Sequence, residues 1–148
     1  MAIQGKTSGD EAQIRKLIEQ WAHALRAKDL DAVMASFAPD ATTFDLAPPL
    51  QQDAAGRRQA LGAWFPGFSG PIGYEIGNLD IAVGVNVAFC CSLNRLSART
   101  VSGEEFAIWV RVTMGFRKVD GTWKIAHAHT SVPFYMDGSF KAATDLEP

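Results

Sequence analysis

Near Tyr74 the apolar residues of this chain change from a helical repeat to strict alternation, and that change limits the fold more than any single motif does. Before it, Ile14, Leu17, Ile18, Trp21, Ala22 and Leu25 recur at the spacing of an amphipathic helix. After it, Tyr74–Val83, Val87–Ser97, Glu105–Lys118 and Thr122–Ser131 alternate as strands do. Helices first and a long antiparallel meander afterwards imply an α+β domain, with helices covering one face of a curved sheet.

Local signals place the elements. Ser8 and Glu11 have the spacing of a capping box, and the first helix is expected to end near Ala27. Asp29 can cap a short second helix carrying Leu30, Val33, Met34 and Phe37, which Pro39 stops. A short strand is expected over 41–46, then Ala47-Pro48-Pro49 leaves the sheet as a stiff extended segment. Gly56–Phe65 reads as a third helix, closed by Pro66-Gly67. Gly84-Val85-Asn86 is expected as a three-residue hairpin loop, and Asp120-Gly121 as a two-residue turn. Residues 1–9 and 137–148 read as tails around one domain over 10–136.

Composition excludes several classes. At 148 residues, with 47% hydrophobic and 20% charged side chains, the chain suits a single core. A net charge of −2 without a basic run argues against nucleic acid as a partner. No apolar stretch is long enough to span a membrane, and no signal peptide is evident. Cys90 and Cys91 are adjacent, so on a strand they point to opposite faces. That disfavours a bridge between them, and a reducing cytoplasm is the simplest setting.

The Asp120-Gly121 turn sets a register in which Val119 pairs with Thr122 and Phe116 with Ile125. Continued without interruption, it puts Val110, Val112, Met114, Phe116, Ile125, His127 and His129 on one apolar face, turned toward the helices. The other face carries Trp109, Arg111, Thr113, Gly115, Lys124, Ala126 and Ala128, and suits a second copy of the chain. A β-bulge on either strand would swap the faces beyond it. In the other hairpin, a three-residue loop aligns Leu79, Ile81 and Val83 with Val87, Phe89, Cys91 and Leu93, with Arg95 at the end of that face.

On this reading His127 and His129 are either pocket acid/base groups or buried rings tied to backbone or Asp45. Asp45 is either a base, or orienter of a histidine, or a carboxylate serving the turn at Ala47-Pro48. Both histidines and Asp45 could meet at a metal, but no metal-binding motif is present and no metal is assigned. Arg95 is the better pocket arginine and Arg111 the better interface one. Trp21, Met34, Phe37, Trp64 and Phe65 close the sheet, either as core or as a ligand box with Met114. Tyr74 offers a phenol from a strand start, and His23 lies off the apolar stripe.

Several segments resemble one known group. Trp21 in the first helix, Asp29–Met34, Phe37-Ala-Pro-Asp40-Ala41, Phe44–Leu50, Leu93-Asn94-Arg95 and Trp123–Phe134 are similar to the SnoaL-like, ketosteroid-isomerase-like branch of the superfamily named after nuclear transport factor two. The resemblance covers about residues 10–135. It implies a cone-shaped, curved antiparallel sheet with three N-terminal helices closing a pocket. It also implies isomerase, dehydratase or cyclase chemistry on a small hydrophobic molecule; no nucleotide-binding fingerprint is present, so no cofactor is expected, and the face with Trp109 points to a homodimer. The residues themselves give the candidate site, with Asp45, His127 and His129 as catalytic residues and Trp21, Phe37, Trp64, Phe65, Arg95 and Met114 around the substrate; of these the resemblance bears on Asp45, the carboxylate nearest the first strand by sequence order. The closing strand departs from the pattern by offering histidines where cyclases of this branch place an acidic residue. The same fold also serves as a non-catalytic ligand-binding or oligomerisation module.

Overall fold

The structure, a computed structural model, describes residues 2–148, with side chains from Gly9 onward. The first helix already runs through Ser8 from Ala2, so Ser8 does not stand at its start as the capping-box spacing implied. The order is α1 (Ala2–Arg26), α2 (Leu30–Ala35), β1 (Phe37–Phe44), α3 (Ala54–Trp64), a single 3-10 turn (Phe65–Gly67), β2 (Gly73–Val83), β3 (Val87–Arg99), β4 (Glu105–Val119) and β5 (Thr122–Ser131). The five strands form one sheet in the order β1-β5-β4-β3-β2, with β1 parallel to β5 and every other pair antiparallel.

The first helix buries Ile14, Ile18, Ala22 and Leu25 against the sheet. It ends where Lys28 enters the left-handed region (φ 56°). Asp29 N–H then reaches back to the Ala24 carbonyl (2.9 Å) and Lys28 N–H to that of Leu25 (3.1 Å), satisfying carbonyls that the helix leaves over. Arg26 Nε donates to the Tyr74 carbonyl (2.9 Å), and Ile72 N–H donates to the Arg26 carbonyl (3.0 Å), which fixes the start of β2. Asp29 caps α2 as expected, accepting from Ala32 N–H (3.1 Å). The helix is shorter than the periodicity suggests. Phe37 already belongs to β1, and Pro39 sits inside that strand where its pairing with β5 shifts between Phe37 and Thr42, a place where a missing N–H costs no ladder bond.

The β4–β5 turn forms as the sequence implies. Asp120 (φ 52°) and Gly121 (φ 78°) both take left-handed conformations, Val119 pairs with Thr122, and Phe116 pairs with Ile125. The expected register ends there. Gly115 pairs with His127, so Ala126 is an extra residue, a β-bulge. Beyond it the faces swap. Ala128 (opposite Met114) and Thr130 (opposite Val112) turn inward, while His127 and His129 share the back face with Gly115 and Thr113. The expectation that both imidazoles point under the helices is thereby corrected.

The β2–β3 hairpin differs by one residue as well. Val83 pairs with Ala88, leaving four residues in the loop rather than three. Gly84 N–H donates to the Val87 carbonyl (2.9 Å), and a Cβ on Gly84 would stand 2.9 Å from that same oxygen, so a side chain there forces the turn apart. A one-residue slip inverts a whole strand. Cys90, Ser92, Asn94 and Leu96 are the buried face of β3, and Phe89, Cys91, Leu93 and Arg95 lie on the back.

At the far end of the sheet Asp10 anchors α1. Its Oδ1 accepts from Trp123 Nε1 (3.1 Å) and from Lys118 Nζ (3.0 Å), with all three groups wholly or largely buried. Removing the carboxylate leaves an indole N–H and an ammonium without their acceptor. Asp10→Ala is expected to lower unfolding free energy in urea by about 1–3 kcal/mol. A loss under about 0.5 kcal/mol would show that water takes over the acceptor role.

Candidate functional site

Between the three helices and the inner face of the sheet lies a cavity of about 300 Å³. Most of its wall is apolar: Trp21 and Leu25 from α1, Val33 from α2, Ala60, Leu61 and Trp64 from α3, and Leu96, Val110, Met114 and Ala128 from the strands. Few polar groups break that lining, an arrangement typical of small-molecule sites.

Tyr74 stands at the start of β2, 5% exposed, with its ring edge-on to Trp21 at 5.3 Å. Asn94, on the neighbouring strand and 1% exposed, donates from Nδ2 to the Tyr74 oxygen (2.8 Å). The phenol thus uses its lone pair on the protein and keeps its own proton available. Burial pushes its pKa up to about 12, against the Asn94 hydrogen bond that pulls it down. Asn94 Oδ1 has no partner.

Arg57 is the second group. It sits in the first turn of α3, 4% exposed, and lines the cavity. Its Nη2 donates to the Ala41 carbonyl (3.1 Å), and its guanidinium carbon lies 4.2 Å above the Phe37 ring. Nε and Nη1 have no acceptor. Burial lowers its pKa, and the charges of Asp45 and then Asp53 oppose that shift. Among the described residues no carboxylate comes within 4.0 Å of it.

Asp45 is the third. It follows β1, is exposed, and accepts from the Thr43 hydroxyl (3.0 Å). The backbones of Thr43 and Gln52 exchange two hydrogen bonds (3.0 and 2.9 Å), which closes the intervening segment into a loop. Asp45, Leu46, Ala47 and Pro48 of that loop contribute to the cavity wall while facing solvent, so they form its rim.

Of the residues singled out from the sequence, the structure gathers Asp45, Trp21, Phe37, Trp64, Tyr74 and Met114 around this space. The others lie elsewhere. Phe65 is buried beside Trp64, with ring centres 5.9 Å apart, and is core rather than wall. Arg95 lies on the back face between Glu75 and Trp109, because of the β3 phase. His127 and His129 flank the Phe44 ring on the back face, both edge-on, at 4.6 and 5.4 Å. The His127 Nδ1–H donates to the Thr42 carbonyl (2.7 Å), so this ring ties β5 to β1. Among the described residues no three His, Cys, Asp or Glu converge as metal ligands.

Two members of the site were missed. Arg57 precedes Ala60, Leu61 and Trp64 by three, four and seven residues, so it is in phase with the apolar stripe of its helix, which is an available signal for a buried cation. Asn94 alternates with Ser92 and Leu96, and only the correct β3 phase shows that it looks inward.

Known proteins were compared with the chain. Residues 14–135 match the family model described as the SnoaL-like domain. An NTF2-like protein of unknown function from Pseudomonas putida KT2440 superposes with a TM-score of 0.85 at 30% identity, over 95% of this chain and 98% of that one. A ketosteroid isomerase-like protein from Erwinia carotovora atroseptica SCRI1043 gives 0.70 at 20% identity, over 81% and 93%. The association domain of C. elegans CaMKII gives 0.67 at 15% identity, over 85% and 98%. The last two show likeness of fold alone. No curated protein matches the sequence.

The buried phenol makes stability depend on alkaline pH. In the unfolded chain Tyr74 ionises near 10.0, whereas in the folded one it holds its proton to about 12. Its contribution is complete below pH 10 and is lost as pH rises toward 12, roughly 2–3 kcal/mol in all. Cys90, raised by burial from 9.0 to about 11, acts in the same direction one unit earlier. Urea midpoints measured from pH 9 to 11.5 should fall, and Tyr74→Phe should flatten the upper part of that fall. Identical slopes in both proteins would mean that the phenol titrates alike folded and unfolded.

Proposed function

The chain belongs to the SnoaL-like family, and on that premise we propose that its cavity binds a small apolar molecule and moves a proton next to a carbonyl group of that molecule, without a cofactor. The observation that carries the reading is the Tyr74–Asn94 pair: a neutral, buried phenol whose oxygen is already occupied as acceptor and whose proton is unspent. Such a donor suits a carbonyl oxygen that gains negative charge.

In this scheme the Asp45 carboxylate takes a proton from the carbon beside the carbonyl. The electron pair of that C–H bond moves into the new C–C double bond, and the carbonyl oxygen becomes an enolate oxygen. Tyr74 donates its hydrogen bond to that oxygen, and its high pKa keeps the proton on the phenol. Asp45 then returns its proton to another carbon of the same system, or gives it to a hydroxyl on the β carbon, which departs as water while the enolate electrons form the α,β double bond and restore the carbonyl. The product is an isomer in the first case and a dehydrated molecule in the second. The apolar surroundings of the buried Tyr74 strengthen its hydrogen bond to the enolate oxygen.

The test is a screen of small enolisable ketones with wild type, Asp45→Asn and Tyr74→Phe, read as isomerisation or dehydration in an ultraviolet assay. Each substitution is expected to lower kcat/KM by about 10²–10³. Unchanged turnover in both variants overturns the scheme. Saturable binding without turnover by the wild type identifies a ligand-binding module instead.

The same family reading extends to assembly. We propose that the back of the sheet is the face a second copy covers. Phe89, at 55% exposed, and Val87, at 63%, leave apolar surface there, beside half-buried Trp109 and exposed His129. The free cysteines Cys90 and Cys91, on opposite faces, support a reducing, cytoplasmic setting. No described helix is long and apolar enough to cross a membrane. In sedimentation velocity the wild type is expected to run as a dimer and Trp109→Glu as a monomer. A dimer unaltered by Trp109→Glu places the interface elsewhere.

A further inference from the structure

Arg57 has no assigned task in the proton-transfer scheme, yet its placement is costly. Taking a guanidinium out of water is unfavourable unless its donors are met by acceptors. Here one nitrogen is met by a backbone carbonyl and one ring face lies under the cation, while Nε and Nη1 are left with nothing. The nearby carboxylates are committed elsewhere: Asp53 Oδ1 caps α3 through Gly56 N–H (2.8 Å), and Asp45 holds the Thr43 hydroxyl in solvent-facing position. The interior of the site therefore holds a positive charge without a matching negative one.

We propose that the ligand of this cavity carries a carboxylate, and that Arg57 is the residue that anchors it. The inference rests on the reading that the cavity takes a small molecule, and it narrows that reading to small apolar carboxylic acids, such as aryl or alicyclic acids with a keto group. Arg57, on α3, and Tyr74, on β2, both line the cavity, whose wall is otherwise mostly apolar, so such a molecule meets one polar group on the helical side and one on the sheet side. Nε and Nη1 are covered as the side chain stands, so a carboxylate meets them once the guanidinium turns toward it, and then supplies the acceptors they lack in charge-assisted hydrogen bonds that are stronger than neutral ones. Asp45 does not cancel this attraction. It is exposed at the rim, where water screens its charge, whereas Arg57 is buried. Burial also lowers the Arg57 pKa, and a bound anion acts in the opposite direction, as Asp45 and Asp53 already do.

The experiment uses matched pairs of probes, 2-naphthoate against 2-naphthamide and phenylacetate against phenylacetamide, which differ in charge and hardly in shape. Binding to the full chain is measured by calorimetry, with wild type, Arg57→Gln, Arg57→Lys and Arg58→Gln. Arg58 is an exposed neighbour that pairs with Asp31 and serves as the control. The carboxylates are expected to bind wild type and Arg58→Gln at least about 10-fold more tightly than the amides, as a charge-assisted contact in a buried site requires. Arg57→Gln should erase that preference, and Arg57→Lys should retain part of it.

Equal affinity of acid and amide for wild type overturns the carboxylate proposal and leaves the small-molecule reading standing. A preference for acids that survives Arg57→Gln also overturns it, since the anion then binds elsewhere. Failure of all four probes to bind wild type at millimolar concentration counts against the cavity reading and this one together. The acid-to-amide ratio in wild type needs no variant, so it stays decisive even where Arg57→Gln does not fold.

Discussion

Ala126 is one residue more than β4 can pair with, and the chemistry of the interior depends on that surplus. With the bulge, the closing strand presents Ala128 and Thr130 to the helices and sends two imidazoles to the other side. An alanine at 128 leaves room where a ring would fill it. Ala128 and Val110 on the strands face Ala60 on α3, and the space these short side chains leave is part of the cavity. A bulge also bends its strand and raises local twist. A second one, between Gly77 and Asp80 on β2 beside Asn78 (φ 51°), bends that strand as well. Bends in β5 and in the edge strand β2 give the sheet a concave side on which helices can sit without filling it.

How far each feature could be read from the sequence follows from how local its cause is. The Asp120-Gly121 turn was legible because two adjacent residues determine it, and the register it sets holds as far as Phe116 and Ile125. The Asp29 cap and the apolar stripe of α1 were legible for the same reason. Bulges were not, because alternation looks identical with and without an extra residue until the partner strand is in place. His127 continues the period of Trp123 and Ile125 without a break in the sequence, yet it lies on the opposite face. The β2–β3 loop misled in a similar way. Val87 is apolar and in alternation with Phe89, so it reads as core, but four loop residues put both in solvent at 63% and 55% exposure. Arg95 was carried to the wrong face by the same slip.

The site residues divide along the same line. Trp21 and Trp64 lie on helices whose periodicity decides orientation and Asp45 follows β1, while Phe37 reaches the cavity from the start of β1 rather than from α2. Arg57 was readable in principle, since it keeps the phase of Ala60, Leu61 and Trp64. Basic side chains in an apolar stripe usually snorkel outward, and that expectation hides it. What holds it inside is long-range: the Phe37 ring beneath it and the Ala41 carbonyl in front of it.

That carbonyl is available because β1 is irregular. Its pairing with β5 breaks between Phe37 and Thr42, across the segment that contains Pro39 and Ala41. A regular ladder would spend the Ala41 oxygen on a neighbouring strand or turn it along the sheet, and the guanidinium would then have no internal acceptor at all. Pro39 contributes by removing a donor from the same stretch, which makes pairing there less favourable still. The break in β1 and the bulge in β5 therefore act on the two sides of one cavity. One leaves a backbone oxygen that can hold a buried cation, and the other clears aromatic nitrogen from the wall opposite. Both depend on a strand failing to pair regularly, and each failure leaves the interior with a polar group or a free volume that a ligand can complete.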